Sequence, residues 1–346
     1  MRAPCSRGPI SALVLSWLTG AAEPEPRRAA ALISSTPSDP DPILDEDRQV
    51  ALWVLYELHY GGFEDVDDLW EWAPETLEVR RLLERDFETA LRSAAETLSD
   101  QISYGDGDIA SRFFDVTTNT VAPPLTAYLQ RRATPDQMVE FLMHRSIYHL
   151  KEADPHSFAI PRLTGAAKAA LVEIQYDEYG AGRPERLHAT MFESVLDACG
   201  LDTEYGAYIE QVPAVTLAVN NAMSLFGLHR RLRAAAMGHL GAFEATSSLP
   251  AHRIARGMLR LGYPPAAAAY YEEHVEADAV HEQLAVRSIC ATMAADDPTL
   301  VEDLAFGAAA CIHLDELAAQ HLLDAWACGS SGLRLEREPV TSLSGA

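Results

Sequence analysis

The chain has 346 residues, 48% of them hydrophobic, enough to bury a sizeable core and to exclude a wholly disordered polymer. Acidic residues outnumber basic ones 51 to 27, and the resulting charge of -24 disfavours nucleic acid and anionic membranes as partners. Five cysteines without a CxxC pair argue against a disulfide framework or a zinc-thiolate site, which leaves the chemistry to histidines and carboxylates.

Arg2 and Arg7 precede a short apolar run, Ile10 to Ala22, that loosely resembles a secretory signal and is too short to span a membrane. A disordered leader is the plainer expectation. With the Pro-, Ala-, Ser- and Asp-rich stretch 23–44, it makes 1–44 a leader and linker. From Asp45 onward the apolar period is helical. Val50, Leu52, Trp53, Leu55, Tyr56 and Leu58 form one stripe that stops at Gly61-Gly62. A second helix is expected near 74–98, with breaks at 104–107 and at Pro123-Pro124. Thr134-Pro135 has the form of an N-cap followed by a first-turn proline.

The stretch 150–164 is expected to be irregular. Helices then follow at about 165–179, 184–199, 204–227, 229–246, 249–261, 264–294 and 298–326. Alternation with period two is almost absent, so a sheet has little support. The expectation is an all-α helical bundle forming a single domain over 45–330, with a flexible tail at 331–346.

The strongest chemical signal is His274-Val-Glu-Ala-Asp278-Ala-Val-His281. Positions i, i+4 and i+7 share one helix face, so two imidazoles and a carboxylate converge. Iron and similar divalent metals take such a mixed nitrogen and oxygen donor set. The plainer alternative is a solvated polar face, but alanines and Val280 make the helix apolar and turn the triad inward. Glu244 lies in a small-residue helix where a lone buried carboxylate would be costly, so it is either a ligand or paired with arginine. Glu178, in Gln-Tyr-Asp-Glu-Tyr-Gly, and His188, past the Gly180–Pro184 break, are weaker signals alone. Glu152 lies in a polar cluster, Lys151-Glu-Ala-Asp-Pro-His156.

These residues resemble those of the haem-oxygenase-like di-iron oxidases and oxygenases, also described as iron-containing redox enzymes. The likeness covers about 136–326, and the early Leu-Trp-Val-Leu-Tyr-Glu-Leu-His run is similar to the family's opening helix. The resemblance implies the haem-oxygenase-like helical fold with two irons in place of haem. The ligands it implies are Glu178, His188, Glu244, His274, Asp278 and His281. Some members that oxygenate nitrogen have a further carboxylate upstream, and Glu152 occupies a comparable place; a hydrogen-bonding role or pairing with Arg162 are its alternatives. All seven then serve as metal-ligating and catalytic residues.

The implied function is an O2-activating non-haem di-iron oxidoreductase in biosynthesis, with O2 as co-substrate and iron passing between Fe2+ and Fe3+. N-oxygenation of an amine or amino acid is favoured over desaturation, hydroxylation or oxidative C–C cleavage. A small-molecule substrate is expected in a cytoplasmic protein, with no nucleic acid or membrane partner. An external reductase fits the absence of a flavin or nicotinamide motif, and a homodimer is allowed.

Two rivals stand beside this reading. Glu185-Arg-Leu-His188 has the ExxH spacing of ferritin-like bundles, though it would leave His274 unexplained. A metal- or haem-storing or -sensing protein would need a proximal histidine such as His59. Among the other histidines, His144, His149 and His156 cluster near Glu152, where a supporting contact to the site is open to one of them and surface or capping roles are the plainer expectation; exposure is expected for His229, His239 and His252. Tyr176, Tyr270 and Tyr271 are expected to pack in the core or line a cavity.

Overall fold

A computed structural model describes residues 1–120 and 122–335, without the side chains of 276–279. The described residues form helices and turns and contain no strand. None of these helices is long and apolar enough to cross a membrane.

The first 44 residues depart from the expected disordered leader. Helices α1 (Pro9–Leu18) and α2 (Pro26–Ser35) occupy them, and Ile10, Val14, Trp17 and Leu18 of α1 are buried in the core. Those positions follow the i, i+4, i+7, i+8 pattern of an amphipathic helix. Helix α3 (Glu46–Glu57) fastens α1 in place, because Asp47 accepts from the backbone N–H groups of Ile10 and Ser11, each at 2.7 Å. Arg7 pairs with Glu46 at 2.6 Å. The contacts that order this segment are distant in sequence, and a composition-based reading does not see them.

Helix α3 is buried along nearly its whole length, with Asp45 as its cap. It packs against α1, α11 (Ala214–Leu228) and α4 (Pro74–Tyr104), after which come α5 (Ile109–Asn119), α6 (Leu125–Arg131) and α7 (Pro135–His149). The start of α7 is as expected: the Thr134 hydroxyl accepts from Gln137 N, and Gln137 reaches back to Thr134 N. After a short turn α8 (Asp154–Ser157) come α9 (Gly165–Glu178), α10 (His188–Ala198) and α11 (Ala214–Leu228). The expected helix over 204–227 therefore begins only at Ala214, after a run of turns and Pro213.

Helix α12 (Arg233–Arg260) is continuous where two helices were expected. Pro250 lies inside it at the cost of one backbone hydrogen bond. Helix α13 (Pro265–Gln283) passes into a π-helical segment, Leu284–Ala291, then into α14 (Thr292–Asp296) and α15 (Val301–Ala327).

α12 and α15 cross closely. A Cβ on Gly238 would stand 1.9 Å from the Leu304 carbonyl oxygen, and one on Gly307 would stand 1.9 Å from that of Ala235. The buried side chains divide into two apolar clusters: a large one containing α1, α3, α11 and α15, and a smaller one containing Phe192, Met258 and Tyr270. The polar residues singled out in the sequence lie at the seam between them.

Candidate metal centre

Five elements deliver the candidate residues. Glu152 sits in the turn between α7 and α8, which is held from several directions. Its neighbour Lys151 pairs with Glu57 of α3, and Gln175 of α9 donates to the Ala153 carbonyl at 2.9 Å. Ala153 takes φ 73, a left-handed value uncommon for a residue with a Cβ. Glu178 is the last residue of α9. The chain then folds back through Gly180, at φ +68, where a Cβ would meet the Arg186 backbone at 2.5 Å. Only glycine permits that return, which places His188 at the head of α10. Glu244 comes from α12, and His274 and His281 from α13.

The structure brings six of the seven sequence-predicted residues together: Glu152, Glu178, His188, Glu244, His274 and His281. All are more than nine-tenths buried. Glu152, Glu178, His188 and His274 can each offer one ligand atom within 4.8 Å of the others, and Glu178, Glu244 and His281 form a second such group. Glu178 belongs to both. Its Oε2 stands 2.9 Å from His188 Nδ1 and its Oε1 3.5 Å from His281 Nδ1. Glu244 Oε2 completes the second group at 3.7 Å from His281 Nδ1. In the first, Glu152 lies 3.8 Å from His274 Nε2 and 3.9 Å from His188 Nδ1. Asp278 is carried by α13, but its side chain lies outside the described residues.

The donor atoms fit a metal. Although close to carboxylates, the Nδ1 atoms of His188 and His281 make no hydrogen bond among the described residues. They are adjacent to the oxygens without being aimed at them, as ligands directed at a common point would be. The opposite ring nitrogens of two histidines are anchored: His274 Nδ1 donates to the Tyr270 carbonyl at 2.7 Å, and His281 Nε2 faces Asp177 at 3.3 Å. Such anchoring fixes tautomer and ring orientation in metal-binding histidines. Three imidazoles and three carboxylates form the mixed set that iron accepts.

Charge in the metal-free site is balanced by protons. Burial opposes a charged His188, but Glu178 and Glu152 outweigh it and lift its pKa to about 9. Burial likewise opposes an ionised Glu152, yet His149, His274 and His188 together hold its carboxyl well below the usual range. A metal arriving here displaces the proton from His188.

Two supporting residues, Tyr270 and His149, were not singled out by the sequence, which left such a role open only for one of three histidines. The Tyr270 hydroxyl lies 2.6 Å from Glu152 Oε2 and 2.6 Å from His149 Nδ1, and His149 Nδ1 is 3.1 Å from Glu152 Oε1. Tyr270 is one turn before His274 on the same face, so extending the H-x3-D-x2-H spacing upstream would have found it. His144, His149 and His156, expected at the surface or as caps, are buried, as is His239, 2% exposed where exposure was expected.

Glu185 is exposed in a separate 3-10 turn before α10, so the ExxH pairing is not formed. His59 contacts Glu71 and Arg80 and is far from a proximal-ligand role. Arg162 donates to the carbonyls of Gly227 and Leu228 rather than to Glu152.

Comparison with known proteins agrees with this geometry. The family model described as "Iron-containing redox enzyme" matches residues 139–316, just over half of the chain and all of the elements that carry the centre. A nitrosourea synthase from Streptomyces achromogenes subsp. streptozoticus is 27% identical over 141 residues. That alignment covers 40% of this chain and 30% of the relative's length. The chain belongs to the iron-containing redox enzyme family and has its all-helical, haem-oxygenase-like fold.

Proposed function

We propose that the chain is an O2-activating non-haem di-iron oxidoreductase acting on a small organic molecule, with oxidation of an amine or amino-acid nitrogen as the favoured reaction. The observation that carries the di-iron reading is Glu178, whose two carboxylate oxygens face different histidines in two ligand groups. One iron would be held by Glu152, Glu178, His188 and His274, and the second by Glu178, Glu244, His281 and Asp278. The lean toward nitrogen rests on Glu152 as an extra carboxylate and on the nitrosourea synthase relative, whose name denotes an N-nitroso product.

Two irons, when bound, supply redox equivalents and Lewis acidity to the reaction of O2 with the substrate. The chain's own residues set the conditions. Tyr148, Ile174, Leu240 and Phe243 wall the centre and keep bulk water from it. Tyr270 and His149 hold exchangeable protons within hydrogen-bond distance of Glu152, so a proton can be lent to that carboxylate or withdrawn from it. A second cavity reaches His274, Glu152 and Tyr270 from the surface, past Arg145, Thr246 and Ile254, and is the substrate's approach. Electrons beyond those stored at the centre come from a separate reductase.

The test is anaerobic Fe(II) titration followed by exposure to O2 with a panel of amines and amino acids. Two irons per chain and substrate-dependent O2 uptake are expected. One iron per chain, or a Soret band in the purified protein, would sink the reading.

A further inference from the structure

Beside the metal centre lies a chamber whose lining includes none of the candidate ligands. α7 and α12 form the partition. On α12, Leu240 and Glu244 face the metal side, His239 faces the chamber, and Phe243 lies against both. On α7, His149 faces the metal-side approach and His144 the chamber, while Tyr148 touches both the chamber and the centre. α11 and α15 close the remaining sides with Thr216, Asn220, Cys311 and Leu314. The space between these walls is narrow and partly open to solvent, so it can admit the end of a molecule that enters from the mouth.

Three polar atoms on residues that line this chamber make no well-formed hydrogen bond among the described residues: His144 Nε2, His239 Nδ1 and Asn220 Oδ1, although the Gly332 backbone also acts on the His144 ring. Their residues are 8%, 2% and 3% exposed. The other ends of two of them are committed, since His144 Nδ1 meets the Thr216 hydroxyl at 2.6 Å and Asn220 Nδ2 donates to the Thr216 carbonyl at 3.0 Å. Thr216 thus orients both groups. Buried polar atoms left unpaired are costly, and three in one chamber point to something that pairs them.

Charge selects the kind of occupant. The chamber's formal charges are Arg145 and Asp315, which pair with each other at 3.5 Å near the mouth. His144 and His239 are both held neutral, burial pushing each down to about 3. An ionised group at the inner end would meet no countercharge. Phe141, Tyr148 and Phe243 offer aromatic walls to whatever lies between the mouth and the polar end.

We infer that this chamber binds the uncharged, hydrogen-bonding end of a small organic molecule (a carboxamide, lactam or phenol) on His144, Asn220 and His239. Phe141, Arg145, Phe243 and Asp315 line both this chamber and the approach to His274. A molecule seated here therefore lies along the route to the centre. That it is the molecule oxidised rests on the oxygenase reading; that the chamber binds it does not.

The experiment uses the full chain, with and without Fe(II). Benzamide, δ-valerolactam and phenol are the neutral probes, with benzoate and benzylamine as charged counterparts. Binding is followed by calorimetry and by the ring 1H–15N signals of His144 and His239. At least one neutral probe should bind in both metal states, about tenfold or more tighter than the charged pair, and should shift both ring signals. His144→Phe and Asn220→Leu should each weaken that binding about tenfold while the far-ultraviolet circular dichroism is unchanged. His239→Gln, which retains a polar atom, should keep part of it. If no neutral probe binds, if the variants bind as the parent does, or if a structure with probe shows ordered water alone in the chamber, the inference is overturned. Because binding is read without iron, its failure leaves the di-iron titration untouched, and failure of that titration leaves this result standing.

Discussion

The Tyr270 hydroxyl lies 2.6 Å from Glu152 Oε2, which ties the helix that carries His274 to the turn that carries Glu152. The same hydroxyl is 2.6 Å from His149 Nδ1. Removing it by Tyr270→Phe leaves the ring packed against Phe192 and Tyr271, so the fold should survive. What is lost is a hydrogen bond to a buried charged group. Residues that orient ligands in this manner are worth about 10- to 100-fold in metal affinity. Fe(II) titration of the variant should show a loss on that scale for the Glu152–His188–His274 position, and little change at the Glu244–His281 position. An unaltered titration would show that Tyr270 is only packing.

Glu178 gives a sharper test, because among the described residues it alone belongs to both ligand groups. Glu178→Ala, which removes a ligand from both positions, should lower iron loading from two per chain to less than one. Glu244→Ala should remove one iron and leave the other. Were Glu178 an ordinary terminal ligand, the two variants would behave alike. The measurement is iron per chain by colorimetric assay after anaerobic loading and desalting.

The parts of the fold that the sequence shows are those set by neighbours in the chain. Thr134 and Gln137 form their cap within one helical turn, and His274 and His281 share a face because helical geometry requires it. Glu178 and His188 meet only because Gly180 lets the chain reverse, so their proximity follows from a backbone conformation and not from spacing. The packing of Trp17 and the burial of His239 depend on helices far away in sequence. The break expected between 246 and 249 does not form, because α12 packs along both α13 and α15 and runs on with Pro250 inside it. Local preference is a weak guide wherever tertiary contacts decide.

The crossing of α12 and α15 should be intolerant of even one added methyl. Gly238→Ala would place a Cβ 1.9 Å from the Leu304 carbonyl oxygen, backbone that cannot step aside. Overpacking of this kind costs about 3 kcal/mol. A lower melting temperature by circular dichroism is expected, together with weaker iron binding, since the displaced helix carries Glu244. Gly61→Ala is the control, because a Cβ there meets nothing within 4 Å and Gly61 has no left-handed φ. Equal effects of the two substitutions would refute the tight crossing.

Acid should destabilise the protein through His144 and His239. Burial is the main cause that pushes both down to about 3, against about 6.5 in an unfolded chain. As pH falls below 6.5, the unfolded chain takes up protons that the folded protein refuses. Stability is therefore full above that value and is lost progressively as pH falls toward 3. At pH 5 the loss is about 2 kcal/mol for each histidine. Urea denaturation of the metal-free protein at pH 7 and pH 5 measures the total, to which the buried carboxylates also contribute. Replacing His239 by Gln isolates one share: the difference in stability between the two pH values should shrink by about 2 kcal/mol. If it does not shrink, His239 is protonated in the folded state, and the neutral lining of the chamber would be wrong with it.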